Sequence, residues 1–539
     1  MSDKVMINLN TGMKTLPMEV EKGTKVLEIV KKMQPELPYT ILAAKVNNKV
    51  EELSKKIDKY SEVELLDMRN PATNFIYQRS ATFIFIKAVQ DILGPGTKVH
   101  VENSLNQGLY TEINNGQRIS QKTVAQIEVR MQELVQADLP FKLEFQAAEE
   151  GNGNGSGQIP VYSLDGTRDA YYGLLVPSTG YIKYFGLKKY GKGIILRHPD
   201  PKVPDRIPAY RDDRKLYAAF QEAADWGRLM GVSYVQDLNR KIKSGEIRQI
   251  IQISEALHEK KVAQIADMIA KQKKRVILIT GPSSSGKTTF ANRLCVQLRV
   301  NGIDPIYLGT DDYFVERDQT PKDEFGNYNF EDIEGIDLPL FNSHMNALLN
   351  GETVDLPKFD FFTGTKIFGQ RITQAEKGQP LVIEGIHGLN KRLTENIPDS
   401  EKFKIYVSPL TQLNIDEHNR IPTTDARMLR RMVRDHHFRN YPAQKTISAW
   451  LSVRKGEDKN IFPFSGEADV LFNSVHIYEL AVLKKYVYPL LVSITQEEPE
   501  FCEAVRLLKF LRLFKSIDDD TIIPNNSVIR EFIGGSVFF

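Results

Sequence analysis

Apolar and polar positions alternate at the start of the chain, so residues 5–9 read as a strand, as do 41–46 and 63–66, while 25–33 have helical spacing. Together they predict a small α+β unit over 1–69. From about 70 to 145 the apolar positions fall at helical intervals, most clearly over 77–93 and 120–136. The glycine-rich stretch GNGNGSG at 151–157 holds no regular element and predicts a loop or tip. A strand-rich, tyrosine-laden stretch follows at 171–196, closing a second region over 70–240. A helical run over 217–273 comes next, and its 241–273 part is expected to act as a connector. From 274 the pattern changes to short apolar runs at 276–279, 305–308, 381–383, 403–407 and 470–472, separated by helical stretches. Runs this uniformly apolar suit strands buried on both faces. Their alternation with helices predicts an α/β region, 274–493, built on a doubly wound parallel sheet. Within the remaining 494–539, residues 504–514 read as an amphipathic basic helix, and this extension is expected to dock on the sheet-bearing region.

At 539 residues the chain exceeds one hydrophobic core, and two to four domains are expected. Lys and Arg number 71 against 69 Asp and Glu, so bulk charge makes no case for a nucleic-acid coat, although local basic patches stay open. No apolar run approaches the ~20 residues a bilayer requires. The opening MSDKVMINLN lacks the basic-then-apolar pattern of a secretory signal. Cys295 and Cys502 cannot make a disulfide framework or a zinc cluster by themselves. A reduced, cytoplasmic setting is the expectation.

The sharpest chemical signal is GPSSSGKT at 281–288, which fits G-x-x-x-x-G-K-[ST]. Gly281 and Gly286 let the backbone curl, so that successive N–H groups point at a phosphate. Lys287 is expected to neutralise the β- and γ-oxygens and Thr288 to hold Mg²⁺ through its hydroxyl. A predicted strand enters the loop, and Phe290, Leu294 and Leu298 leave it at helical spacing, which places the loop at a helix N-terminus. Such loops serve kinases, GTPases and mechanical ATPases. A GTPase needs N-K-x-D to read its base, and the nearest string, NKRL at 390–393, lacks the aspartate.

Two acidic positions follow predicted strands, where an open α/β sheet binds its ligands. Asp311 and Asp312 come after 305–308, and Glu384 after 381–383. A kinase acting on a hydroxyl needs a carboxylate to take the proton, and an acidic group to hold Mg²⁺. Over 425–439, Arg427, Arg430 or Arg431, and Arg434 share one helical face. Such a row can close over ATP as a lid and stabilise the transferring phosphoryl group. It can equally be a basic face paired with Asp425 and Asp435.

Taken in order, GPSSSGKTT, TDDYF, NFEDIEGID, LPKFDF, VIEGIHGL and DARMLRRMVRD resemble the uridine-cytidine kinases and related phosphoribulokinases over about 274–490. The resemblance implies ATP and Mg²⁺ as cofactors and a nucleoside-like acceptor phosphorylated on its 5′-hydroxyl. It implies that Gly281, Ser283, Ser284, Ser285, Gly286, Lys287, Thr288 and Thr289 bind ATP. Asp311 becomes the catalytic base, with Lys287 and Arg434 acting on the phosphoryl group. Thr288 and Glu384 fall at the magnesium positions; Glu331, Phe359 and Arg431 fall at acceptor-side positions. Where the family has P-x-Y-D-F-x-x-H, this chain has Phe359 and Gly364 in place of the tyrosine and histidine. A site that only stacks a ring discriminates weakly, so broad nucleoside acceptance, or a larger base in the space beside Gly364, is expected.

Residues 1–69 resemble the TGS module that opens threonyl-tRNA synthetase, a ubiquitin-like fold. The 70–240 region resembles that enzyme's editing domain. Arg79 and Phe83 stand where that domain's H-x-x-x-H belongs, and YYGLLVPSTG at 171–180 stands in place of its Cys/His strand, so no editing metal set is expected. Such a fold could bind RNA, a nucleotide or a protein partner, or stabilise the kinase. Three readings remain open: a nucleoside kinase, a kinase for another small hydroxyl compound, and a regulatory RNA- or ribosome-binding P-loop ATPase. A homo-oligomer is also open; a membrane partner is not expected.

Overall fold

The computed structural model describes residues 3–116, 118–146, 159–322, 326, 328–411 and 413–538; the expected loop at 151–157, and Phe539, lie outside them. The chain forms two compact units. One comprises Met1–Asp213, Asn414–Arg420 and Leu491–Leu513; the other comprises Arg214–Leu413, Ile421–Leu490 and Phe514–Phe539. Among the described residues no helix is long and apolar enough to cross a membrane.

In the first unit the strand Lys4–Asn10 pairs antiparallel with Thr15–Glu21 and parallel with Ser61–Asp67. Its alternation turns Ile7 and Leu9 inward, onto Val26, Ile29, Val30 and Met33 of the helix Val26–Met33. Those four recur at i, i+3, i+4 and i+7, one face of a helix. A second core forms where the helix Pro71–Leu93 packs among Gln121–Gln136 and a four-stranded antiparallel sheet. Asn70 caps the first helix by accepting from the Ala72 N–H at 2.9 Å, with proline in the first turn.

Between the two helical stretches expected most clearly over 70–145, at 77–93 and 120–136, Lys98–Leu105 and Gly108–Asn114 form a hairpin that was not anticipated. Asn106 and Gln107 both take positive φ, the geometry of a tight two-residue hairpin turn. Val99, Val101, Asn103 and Leu105 alternate inward, so the period-two signal was present beneath polar neighbours. Arg79 and Phe83 have structural partners: Arg79 donates to the Leu174 carbonyl at 2.8 Å, and the buried Phe83 ring packs against Phe141 and Tyr171.

The second unit is built on five parallel strands, ordered Ile306–Gly309, Leu381–Glu384, Val276–Thr280, Lys402–Ser408 and Val470–Asn473. Numbered along the chain, the order is 2-3-1-4-5. The central strand explains the unbroken apolar pattern. Val276 and Leu278 join Phe341, Met345 and Leu348 on one face, while Ile277 and Ile279 join Val262, Ile265, Phe290 and Leu294 on the other. With both faces covered, Val276–Ile279 are uniformly apolar, and the buried Thr280 that ends the strand donates its hydroxyl to the Ile386 carbonyl.

Two sequence boundaries need correction. The stretch expected as a connector contains the helix Ile247–Gln272, which covers a face of this sheet through Val262, Ile265, Ala266 and Ile269. The unit therefore begins at Arg214 rather than after 240, because Ala219 and Phe220 already pack with Leu410. The 494–539 extension divides: the helix Phe501–Leu511 lies in the first unit and Phe514–Phe539 in the second.

Candidate functional site

The strand Val276–Thr280 leads into the loop at 281–286, and the helix Lys287–Val300 leaves it. Ser284 and Gly286 turn the backbone with φ of +60° and +82°, the left-handed region in which glycine pays no Cβ penalty. The loop is held from outside by its carbonyls: Arg427 donates to Ser283 O at 3.1 Å, Arg430 to Ser284 O at 3.4 Å and Ser474 to Ser285 O. Two loop N–H groups are engaged as well, Ser283 donating to Glu457 Oε1 at 3.1 Å and Ser285 to Pro282 O at 3.2 Å, so an anion would meet the remaining N–H groups of the loop. Lys287 reaches the Pro282 carbonyl only weakly, at 3.4 Å.

The arginine row splits into two duties. Arg427 and Arg430, expected to share a lid with their neighbours, are 1% and 0% exposed. Arg427 pairs with the buried Glu457, and Arg430 forks onto both oxygens of Glu479 at 2.9 and 2.6 Å. Paired this way, they brace the P-loop. Arg431 donates to Ser283 Oγ at 3.0 Å, and Arg431, Arg434 and Arg439 converge on Asp435 at 3.2, 3.0 and 3.4 Å. Glu457 and Glu479 were not singled out from sequence, because nothing local distinguishes them from solvated glutamates.

Three carboxylates gather within the field of Lys287. Asp311 sits in the turn Thr310–Tyr313, open to solvent, and has no hydrogen-bond or ion-pair partner among the described residues. The surrounding protein raises its pKa above the usual aspartate range, with Lys287 pulling it down. Its neighbour is committed elsewhere: Asp312 takes Arg371 at 2.8 Å and the Phe359 N–H at 3.4 Å. Glu384 accepts from Thr288 Oγ1 and from the Tyr307 hydroxyl, both at 3.3 Å. Burial pushes its carboxyl up to about 7, against the pull of Lys287. The Thr288 hydroxyl and Glu384 carboxylate are adjacent hard oxygen donors, the chemistry that suits Mg²⁺.

Glu331 lies deeper, its Oε2 buried without a hydrogen-bond partner. Burial first, then repulsion from Glu457, pushes it up to about 7 against Arg431 and Lys287. The folded protein therefore keeps a proton that the unfolded chain releases near its ordinary pKa of about 4.3, and stability falls as pH rises from there through about 7. Glu331→Gln removes that dependence. It is expected to raise Tm by roughly 2–4 °C at about pH 8, the shift that ~1 kcal/mol produces in a large domain, and by little at about pH 4. Equal melting shifts at both pH values would refute this account of Glu331.

On the acceptor side, the hairpin Lys358–Asp360 with Thr365–Ile367 differs from expectation. Phe359, expected to stack on an acceptor ring, is only 5% exposed, edge-on to Phe314 and Phe361. Neighbouring rings open to solvent include Phe330, Phe361 and Phe362. The space expected beside Gly364 is filled: a Cβ there would lie 2.7 Å from Arg317, and φ is +77°. Arg317 is fixed in turn by the carbonyls of Phe361 and Phe362. A histidine at 364 would have to displace it.

The second unit is thus a 2-3-1-4-5 parallel sheet with a P-loop after its first strand, a carboxylate (Asp311) just past the end of its second and another (Glu384) closing its third, which defines a P-loop α/β fold. Residues 276–481 match the Phosphoribulokinase / Uridine kinase family. Over 197 residues the chain is 28% identical to a uridine kinase of Deinococcus deserti, spanning 36% of this chain and 86% of that one. A uridine kinase of Lactobacillus helveticus is 28% identical over 207 residues, 38% of this chain and 89% of its own. A solved structure described as a possible uridine kinase from Bacillus stearothermophilus aligns over 38% of this chain and 96% of its own, at 22% identity and a TM-score of 0.26. The family likeness is thus to the C-terminal region alone.

Proposed function

We propose that the second unit is an ATP-dependent kinase transferring a phosphoryl group to the 5′-hydroxyl of a nucleoside, giving the nucleoside monophosphate and ADP. The observation that carries this reading is Asp311. It is a carboxylate without a structural partner among the described residues, close enough to Lys287 to feel its charge, beside a loop with the phosphate-binding pattern. A conformational switch needs no such acceptor-side base. Asp311 takes the hydroxyl proton as the new P–O bond forms, and Lys287 balances charge on the phosphate oxygens. Arg434 and Arg439, which act electrostatically on Asp311, lie within reach of the same charge. Mg²⁺ held by Thr288 and Glu384 would supply further neutralisation of the phosphates. The open rings of Phe330 and Phe361 supply the flat apolar surface a base needs.

One observation favours a second reading, a kinase for another small hydroxyl compound. Arg317 closes the space beside Gly364, and a guanidinium there suits an anionic acceptor as well as a base. Purified protein with ATP, assayed for ADP release against nucleosides, sugars, sugar phosphates and hydroxy acids, separates the two. Turnover of nucleosides is expected; turnover confined to a non-nucleoside acceptor would replace the first reading by the second.

For the first unit, the resemblance to a TGS module and an editing domain supports a role in contacting RNA or a protein partner. Arg79 and Phe83 are occupied in packing, which argues against metal-dependent hydrolysis there.

A further inference from the structure

The stretch Phe514–Phe539 belongs to the second unit, and its end folds against the P-loop. Val528, Ile529, Phe532 and Ile533 are buried anchors. The Phe532 ring lies 5.0 Å from the Arg430 guanidinium carbon, and Val528 packs so close to Gly286 that a Cβ there would come within 2.5 Å of it. Between these anchors Glu531 points at the start of the P-loop helix. Its Oε2 accepts from the Thr289 N–H at 3.2 Å and from Thr289 Oγ1 at 2.7 Å.

Thr289 is the third residue of the helix Lys287–Val300, so its N–H is one of the four that an α-helix leaves without an internal partner. In a P-loop these groups cradle nucleotide phosphates. Glu531 therefore holds a negative oxygen on a donor that a nucleotide phosphate needs. No cation pairs with Glu531 among the described residues, and its charge bears on Glu384 nearby. Two hydrogen bonds from one threonine hold it in a neighbourhood of other carboxylates, which makes it readily displaced.

We propose that Glu531 is an internal competitor of the nucleotide, occupying the phosphate position at Thr289 and swinging out when a nucleoside polyphosphate enters. The buried anchors on either side keep the segment in place while the side chain turns. The inference rests on reading the P-loop as a nucleotide site. A binding site open only a fraction of the time has its intrinsic Kd divided by that fraction, so a carboxylate in place about nine-tenths of the time weakens binding about tenfold.

The test is calorimetric titration of ADP with Mg²⁺ into the full chain as wild type, Glu531→Gln, Glu531→Asp and Lys287→Ala, with melting curves for each. Glu531→Gln removes the charge in the same shape, and Glu531→Asp withdraws it by one methylene, so either serves if the other fails to fold. Both are expected to bind ADP about tenfold more tightly than wild type, and Lys287→Ala more weakly. Unchanged or weaker binding in the Glu531 variants, with binding lost in Lys287→Ala, would leave the nucleotide site standing and overturn the competitor. Absence of binding by every folded form would overturn the nucleotide site and the competitor with it.

Discussion

Replacing Lys287 by alanine is expected to reduce kcat by ~10³-fold or more while leaving the melting curve nearly unchanged. Among the described residues the side chain's hydrogen bond is a long one, 3.4 Å to Pro282 O, so little is lost with it. Its charge, by contrast, acts on Asp311, Glu331 and Glu384 together, lowering the pKa of each. Without it, two carboxyls already near 7 rise further and the phosphates lose their principal cation. The loop itself stays braced by Arg427 and Arg430, which do not depend on the lysine. Steady-state turnover with the best acceptor, alongside thermal denaturation, checks this. Wild-type kcat in a folded Lys287→Ala protein would remove the P-loop from the mechanism.

Asp311→Asn is expected to lower kcat by at least ~10²-fold with ATP binding little altered, the usual contribution of a positioned base. Asn keeps the shape but cannot take a proton. Because its surroundings raise the pKa of Asp311, the acid limb of the kcat/KM profile should lie above the ordinary aspartate range and disappear in the variant. Asp312→Asn provides the contrast, since that carboxylate holds Arg371 and the Phe359 N–H and should affect stability more than turnover. An active Asp311→Asn beside an inactive Asp312→Asn would transfer the role of base to Asp312.

Much of the candidate site was legible because its signals are local. The P-loop is contiguous, and Asp311 follows closely on one short apolar strand while Glu384 ends another, at the edge where such sheets bind ligands. The acceptor side was less legible. Phe359 reads as a stacking residue until its burial against Phe314 is seen, and Gly364 reads as empty space until Arg317 is found covering it. Both contacts join residues some forty positions apart, beyond any local pattern. The limits of the two compact units were hard to read for a similar reason. Removing residues 1–240 would strip away the helix Arg214–Met230, whose Ala219 and Phe220 belong to the second unit.

The sequence by itself determined where this protein's parallel strands lie, which loop carries the phosphate-binding pattern and which carboxylates stand at the strand ends. Those properties follow from backbone periodicity and from chemistry packed into a few consecutive residues. Only the tertiary structure decided what each charged side chain does. Arg427, Arg430, Arg431 and Arg434 share one helical spacing, yet two are sealed in buried pairs behind the P-loop and two meet at Asp435. Helical period places a residue on a face, but what covers that face comes from distant chain, here Glu457 and Glu479. Glu531 is the extreme instance: it reaches Thr289 from 242 positions away, and the hydrogen bonds that define it exist only once the chain has folded back.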